Sequence, residues 1–276
     1  MQKYLGLAKH FLLLTATAIA SSLITAKSSQ AATLASSQAG FRLENFSISP
    51  KDVETFTNTN TQAVSLDGQG QANADAIANA NFTTIPDLSK PFANNISLTQ
   101  ATGQGKNYFG IAESDASVTG YNLQVAPGST FSFDFMGFLS LETSIDNPKL
   151  EYAGANGLIK VLLYDQENGS LLDSLSIQGD IAVPSNKDSF TFNKSDNFSL
   201  IPRNTSFDSS LTDIDKYVRA DIKGYYSRRF AQGANVKLFE LKSNRATVVV
   251  PEPNSNFALI FGTAAIIVIA KAKRVR

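Results

Sequence analysis

The chain has no cysteine and no tryptophan, and its one histidine is His10, close to the N-terminus. Without cysteine there can be no disulfides and no thiolate–metal sites. Without histidine beyond residue 10, the body of the chain cannot assemble a Ser-His-Asp triad, and zinc loses its preferred ligands. No Gly-rich loop opens a helix in a phosphate-binding pattern, so nucleotide chemistry has no support. Basic excess is missing too. The formal net charge is zero, with about 8 basic and 18 acidic residues in Ala32–Leu200 and about 9 basic and 5 acidic in Ile201–Val250. An acidic body repels phosphate, and nucleic acid is not an expected partner. What remains is carboxylate-pair hydrolysis, Tyr- or Lys-based acid–base chemistry and calcium held by oxygen ligands. No cofactor is expected.

The N-terminus reads as a secretory signal. Lys3 and Lys9 give a positive start, and Phe11–Ile24 gives an apolar run too short for a standard membrane span. Ser29 and Ala31 then supply small residues at the −3 and −1 positions of a signal peptidase cut. The expected cut follows Ala31, with Ala32 as the alternative.

The C-terminus has different parts. Val250-Pro251-Glu252-Pro253 is followed by a polar spacer, Asn254–Asn256, and by the uncharged run Phe257–Ala270. Lys271, Lys273, Arg274 and Arg276 close the chain. A helix over that run spans about 21 Å, short of the ~30 Å hydrocarbon core, a gap that Lys271 can bridge by snorkelling. The basic cluster stays on the cytoplasmic side. Pro251 lacks a donor, and both prolines hold the residue before them extended, the conformation peptidases accept.

This order of parts resembles the PEP-CTERM sorting signal of Gram-negative bacteria over Val250–Arg276. Pro251, Glu252 and Pro253 match the named motif, and Arg274 and Arg276 match the basic end. The helix departs from many family tails by being Ile- and Ala-rich with a single glycine, Gly262, and the basic end mixes Lys with Arg. The resemblance implies that an exosortase, a membrane-embedded cysteine peptidase-like enzyme, cuts the tail. It also implies export alongside extracellular polysaccharide. Three segments follow: a signal peptide over 1–31, an exported β-rich domain over 32–249 and a sorting tail over 250–276. The expected route is an inner-membrane intermediate, then the cell surface or medium.

Between the ends the chain alternates short apolar–polar runs with turn signals. Phe131, Phe133, Phe135, Leu139, Leu141 and Ile145 recur mostly at two-residue spacing, the mark of a half-buried strand. Gly137-Phe138 interrupts that register and reads as a bulge or bend. Leu158–Tyr164 and Ser170–Ile177 read as a hairpin, with Asn168-Gly169 at its turn. Further strands are expected at Phe41–Ser49, Tyr108–Ala112, Val118–Val125, Ser189–Asn193 and Phe198–Ile201, with a long final pair, Tyr217–Phe230 and Val236–Val250. Thr55–Thr61, rich in Thr and Asn, reads as less ordered. Gly68–Asn81 allows one short helix, but its two early Gly and scattered Asn argue for a loop. Ser185–Asp188 and Asn204–Thr212 read as surface loops. About ten strands without an amphipathic helix point to an all-β domain, a β-sandwich or jelly roll.

Candidate site residues follow from what the absences leave. Tyr225 and Tyr226 are adjacent on an expected strand, so one faces out if the other faces in. With Arg228 and Arg229 they form an aromatic–basic patch able to contact acidic polysaccharide. The carboxylate pairs are Glu142/Asp146, Glu113/Asp115 and Asp213/Asp215, and Asp165–Gly169 and Asp213–Asp215 are the calcium candidates. Solvated surface charge accounts for all of these, so no catalytic or metal residue is assigned. The reading is a non-enzymatic surface or matrix protein, structural or weakly adhesive to polysaccharide. The alternatives are a dedicated glycan-binding module and a carboxylate-pair polysaccharide hydrolase.

Overall fold

The computed structural model describes residues 32–251, apart from 67, 85–90 and 186. Their thirteen strands are β1 (Ala32–Glu44), β2 (Asp52–Ser65), β3 (Gly70–Thr83), β4 (Phe92–Gly105), β5 (Tyr108–Val125), β6 (Thr130–Ser144) and β7 (Tyr152–Asp165), followed by β8 (Leu171–Val183), β9 (Ser189–Lys194), β10 (Phe198–Leu200), β11 (Ser206–Leu211), β12 (Asp215–Arg229) and β13 (Ala234–Val250). One 3₁₀ turn, Pro202–Asn204, is the only helical piece among the described residues.

The domain is all-β and consists of two antiparallel sheets. The first runs β10–β12–β6–β1–β4–β3, with β11 also paired to β12. The second runs β2–β5–β13–β7–β8–β9. Their inner faces share a core built on Phe41, Phe131, Phe133, Phe135, Phe198 and Tyr226 from the first sheet and Leu123, Ile159, Val161, Leu175, Ile177 and Leu238 from the second. Each strand contributes alternate side chains, because successive residues point to opposite faces.

Several expectations are corrected. β6 runs without a bulge at Gly137-Phe138, in unbroken register with both β1 and β12. There Gly137 pairs with Phe41, and Gly40 pairs with Phe138. Each glycine leaves room for the opposite ring: a Cβ at Gly137 would lie 2.3 Å from Phe41 Cδ2, and one at Gly40 would lie 2.4 Å from Phe138 Cε1. The glycine is a seat for a ring. Thr55–Thr61 lies within β2, Gly68–Asn81 falls largely in β3, and Asn204–Thr212 contains β11. The final two long strands do not pair. β12 joins β6 in the first sheet, whereas β13 joins β5 and β7 in the second. The crossing at Phe230–Gly233 runs beside the β5–β6 crossing, with Gly128 N donating to Phe230 O at 2.8 Å and Phe230 N donating to Ser129 O at 2.9 Å.

Both ends of the domain leave from one pole. Ala32 pairs with Gln104 near the end of β4, and Val250 pairs with Tyr108 at the start of β5. Those partners flank the two-residue turn Lys106–Asn107, where Asn107 takes φ 56°. β13 ends at Val250, and Pro251 is exposed. Ala31, Glu252, Pro253, Lys271, Lys273, Arg274 and Arg276 lie outside the described residues.

Candidate functional site

The Tyr225–Arg229 stretch lies near the far end of β12, where alternation decides which groups reach solvent. Tyr226 points inward and is fully buried. Its ring stacks on Phe133 at 4.9 Å and meets Phe198 at 4.9 Å. Its hydroxyl donates to Asp173 Oδ2 on β8 at 2.9 Å. Burial raises the Tyr226 pKa, and the Asp173 carboxylate raises it further. Arg228 is turned toward the same acid: its Nη1 lies 2.8 Å from Asp173 Oδ2 and also donates to Leu172 O at 2.9 Å. Asn197 Nδ2 supplies a third donor to Asp173 at 3.0 Å. Asp173, 4% exposed, is thus fully occupied as a bolt between the sheets.

Tyr226 therefore presents no surface to a glycan, and the expected patch reduces to Tyr225, which is 47% exposed, and Arg229 on the same face. Across the outer face of the first sheet, Tyr225 is in register with Ser199 on one side and Asp134 on the other, and Asp134 with Glu44. Asn45 Nδ2 donates to Asp134 at 2.7 Å. Across the strands the neighbours of the exposed ring are hydroxyl, amide and carboxylate groups, while Lys223 and Arg229 lie two and four residues away on the same face of β12. Such a surface offers both donors and acceptors to sugar hydroxyls.

A second groove went unseen in the sequence because β11 read as a loop. It measures about 210 Å³ and lies where β9 and β11 edge the two sheets. Phe190, Phe207, Leu211 and Val218 give it an apolar floor, and Asp188, Asp208 and Arg219 rim it. Phe207 meets the rings of Phe190 and Phe192 edge-on, each at 6.2 Å. Beneath the rim, the buried Lys216 pairs with Asp188 at 2.6 Å. The only early signal was the pair of phenylalanines at 190 and 207.

The carboxylate pairs are dispersed. Glu113 accepts from Asn60 Nδ2 at 3.1 Å and lies 3.7 Å from Arg245, on the outer face of the second sheet. Glu142 and Asp215 come from different expected pairs, yet line one cleft of about 80 Å³. That is room for a few waters, not for a sugar ring. Asp165 spends both carboxylate oxygens on its own turn, accepting from Glu167 N at 2.9 Å and Asn168 Nδ2 at 3.0 Å. Among the described residues no three His, Cys, Asp or Glu side chains gather as metal ligands.

The buried charges sit in the core. Glu240 and Lys242 are 1% and 0% exposed on the inner face of β13 and form a direct ion pair. Asn95 Nδ2 donates to the other carboxylate oxygen, and Lys242 lies 5.8 Å from the centre of the Phe41 ring. Burial pushes Lys242 down to about 8 and pushes Glu240 up, since each charge has left water. One step along, Asn244 Nδ2 donates to Ser97 O at 2.8 Å, and Ser37 Oγ donates to Asn244 Oδ1 at 2.8 Å. This polar seam sews β13 to β4 and β1. It is buried throughout.

No family model, curated protein or solved structure matches this chain.

Proposed function

We propose that the chain is an exported surface or extracellular-matrix protein, processed through a PEP-CTERM-type sorting tail. Its domain, a sandwich or jelly roll in type, would be structural or weakly adhesive to extracellular polysaccharide. The observation that carries this reading is the placement of the domain's two ends. Ala32 and Val250 flank one turn at one pole, and Pro251 follows β13 directly into solvent. A domain held by a membrane tail at that pole stands with its opposite pole away from the bilayer. Exposure of Pro251, the first residue of the motif, suits access by a membrane peptidase. The closely hydrogen-bonded interior and the modest grooves suit a structural unit more than a catalyst.

A dedicated glycan-binding role is the second reading, favoured by the exposed Tyr225 among polar neighbours. The test of the main reading is the intact mass of the protein recovered from the native host's surface and medium. A form that begins at Ala32 and ends within Pro251–Pro253 is expected. A form that keeps Phe257–Arg276 in the inner-membrane fraction would overturn the sorting assignment.

A further inference from the structure

Long open sheet edges invite pairing with another chain, and folded proteins usually shorten, charge, bend or cover them. Most edges of this domain follow that rule. β9 and β11 are six residues each and β10 three. The edge of β3 is covered in part by β5, whose Ser114 Oγ donates to Ile77 O at 2.7 Å. β2 is the exception. It is 14 residues long, pairs only with β5 among the described residues, and is exposed on both faces from Asp52 to Ala63.

Its composition is equally unguarded. From Thr55 to Leu66 there is no charge, no proline and no glycine. Thr55, Thr57, Thr59 and Thr61 form a row on one face, and Phe56, Asn58, Asn60 and Gln62 form a row on the other. β-Branched residues alternating with amides, at low charge and without proline, are the composition that pairs strand to strand.

Hydrogen-bond parity aims the threonines outward. Leu66 N donates to Asn107 O at 3.0 Å, extending the β2–β5 ladder by one residue. Alternation along an antiparallel ladder then turns even-numbered residues toward β5 and sends the N–H and C=O of the odd-numbered residues into the open edge. Thr57-Asn58-Thr59-Asn60-Thr61 also reads the same in both directions. Laid antiparallel against a second copy about Thr59, it sets Thr59 against Thr59, Thr57 against Thr61 and Asn58 against Asn60. Cross-strand Thr–Thr pairs are favourable, and about ten backbone hydrogen bonds can form. The two acids of the strand meet no acid: Glu54 falls opposite Val64 and Asp52 opposite Leu66. Both are already occupied on their own copy, by Tyr121 Oη at 2.7 Å and Asn122 Nδ2 at 2.8 Å.

We propose that β2 is a self-association edge, at which two copies of this chain pair antiparallel about a two-fold axis through Thr59, joining their six-stranded sheets into one continuous sheet.

The absence of native cysteine makes the register directly readable. In a hydrogen-bonded antiparallel pair the facing Cα atoms lie about 5.5 Å apart, within disulfide range. Thr59→Cys in the full chain, isolated from the native host and mildly oxidised, should give mostly covalent dimer on a non-reducing gel. Thr55→Cys, whose own counterpart would lie about 27 Å away along the ladder, should stay largely monomeric. Thr59→Lys, at an exposed position, should keep the β-sheet circular dichroism and weaken dimerisation at least tenfold in sedimentation equilibrium. Equal crosslinking of the two cysteine variants would overturn the proposal, as would a wild-type chain that is monomeric at all concentrations. A dimer unaffected by Thr59→Lys would place the contact elsewhere and overturn it as well.

Discussion

The Tyr226 hydroxyl on β12 donates to the Asp173 carboxylate on β8 at 2.9 Å, tying one sheet to the other across the aromatic half of the core. The same acid holds Arg228 at 2.8 Å, so a single carboxylate gathers the inward side chains of the stretch. Tyr226 and its neighbour Tyr225 should therefore behave oppositely under substitution.

Tyr226→Phe removes one hydrogen bond while Asp173 keeps Arg228 and Asn197, an expected loss of about 1–2 kcal/mol. Tyr226→Ala also empties the stack on Phe133 and Phe198, an expected loss of about 3–5 kcal/mol. Tyr225→Ala should change stability by no more than about 0.5 kcal/mol and lower retention on extracellular polysaccharide. Urea denaturation and a sedimentation assay with the host polysaccharide separate the two effects. Unchanged retention for Tyr225→Ala would count against the glycan-contact reading.

The Glu240–Lys242 pair gives a second prediction. Glu240→Gln or Lys242→Met alone strands a buried charge, with an expected cost of about 3–5 kcal/mol. The double change Glu240→Leu with Lys242→Met removes both charges but leaves the buried Asn95 Nδ2 without its acceptor, so it should cost about 1–3 kcal/mol, less than either single change. The pH dependence has a sign. Lys242 has a folded pKa of about 8, below its ordinary 10.5, so between those values the unfolded chain holds more protons and stability rises with pH. Glu240 is raised above its ordinary 4.5, so its contribution is full below that value and is lost as pH rises through its folded pKa. Denaturation midpoints from pH 7.5 to 10, for wild type and the double variant, isolate the Lys242 rise.

Much of the fold is legible where alternation runs on large side chains. Phe131, Phe133, Phe135, Leu139, Leu141 and Ile145 are all buried, and Gly169 takes φ 71° at the expected hairpin turn. β3 also alternates, but its inward set is Ala72, Ala74, Ala76, Ala78 and Ala80 and its outward set is mostly amide. Neither has strong strand propensity, so the period is hidden by the chemistry. In β13 the pattern misleads: Glu240, Lys242 and Asn244 face inward while Phe239 and Leu241 sit on the other face. Only partners on other strands, such as Asn95 and Ser97, make that choice affordable. The candidate site was half legible for the same reason. Alternation put Tyr225 and Tyr226 on opposite faces, but the partner that receives the inward hydroxyl, Asp173, lies more than fifty positions away in the chain.

Tyr108 supplies an alkaline prediction. It is 1% exposed, its hydroxyl donates to Thr33 Oγ1 at 2.5 Å, and burial raises it to about 12. The folded state thus keeps a proton that the unfolded chain releases near pH 10. Its contribution is complete below pH 10 and is lost as pH rises through 12. Tyr108→Phe should lower stability at neutral pH by about 1 kcal/mol and flatten the decline between pH 10 and 12. Thermal melts across that range check both slopes.

The two ring-seating glycines should differ although their geometry is nearly the same. A methyl at Gly137 meets Phe41, which is 3% exposed and stacked on Phe135 at 5.9 Å. That ring has nowhere to go, and Gly137→Ala should cost about 3 kcal/mol, the upper end for overpacking. A methyl at Gly40 meets Phe138 on the outer face, where the half-buried ring lies 5.3 Å from Arg219 and can swing toward solvent. Gly40→Ala should cost about 1 kcal/mol, which covers the displaced ring and its contact with the guanidinium. Urea midpoints with unchanged slopes would register the difference as stability alone. Equal costs would mean that the inner ring is free to shift, and that the core around Phe41 and Phe135 is looser than its burial implies.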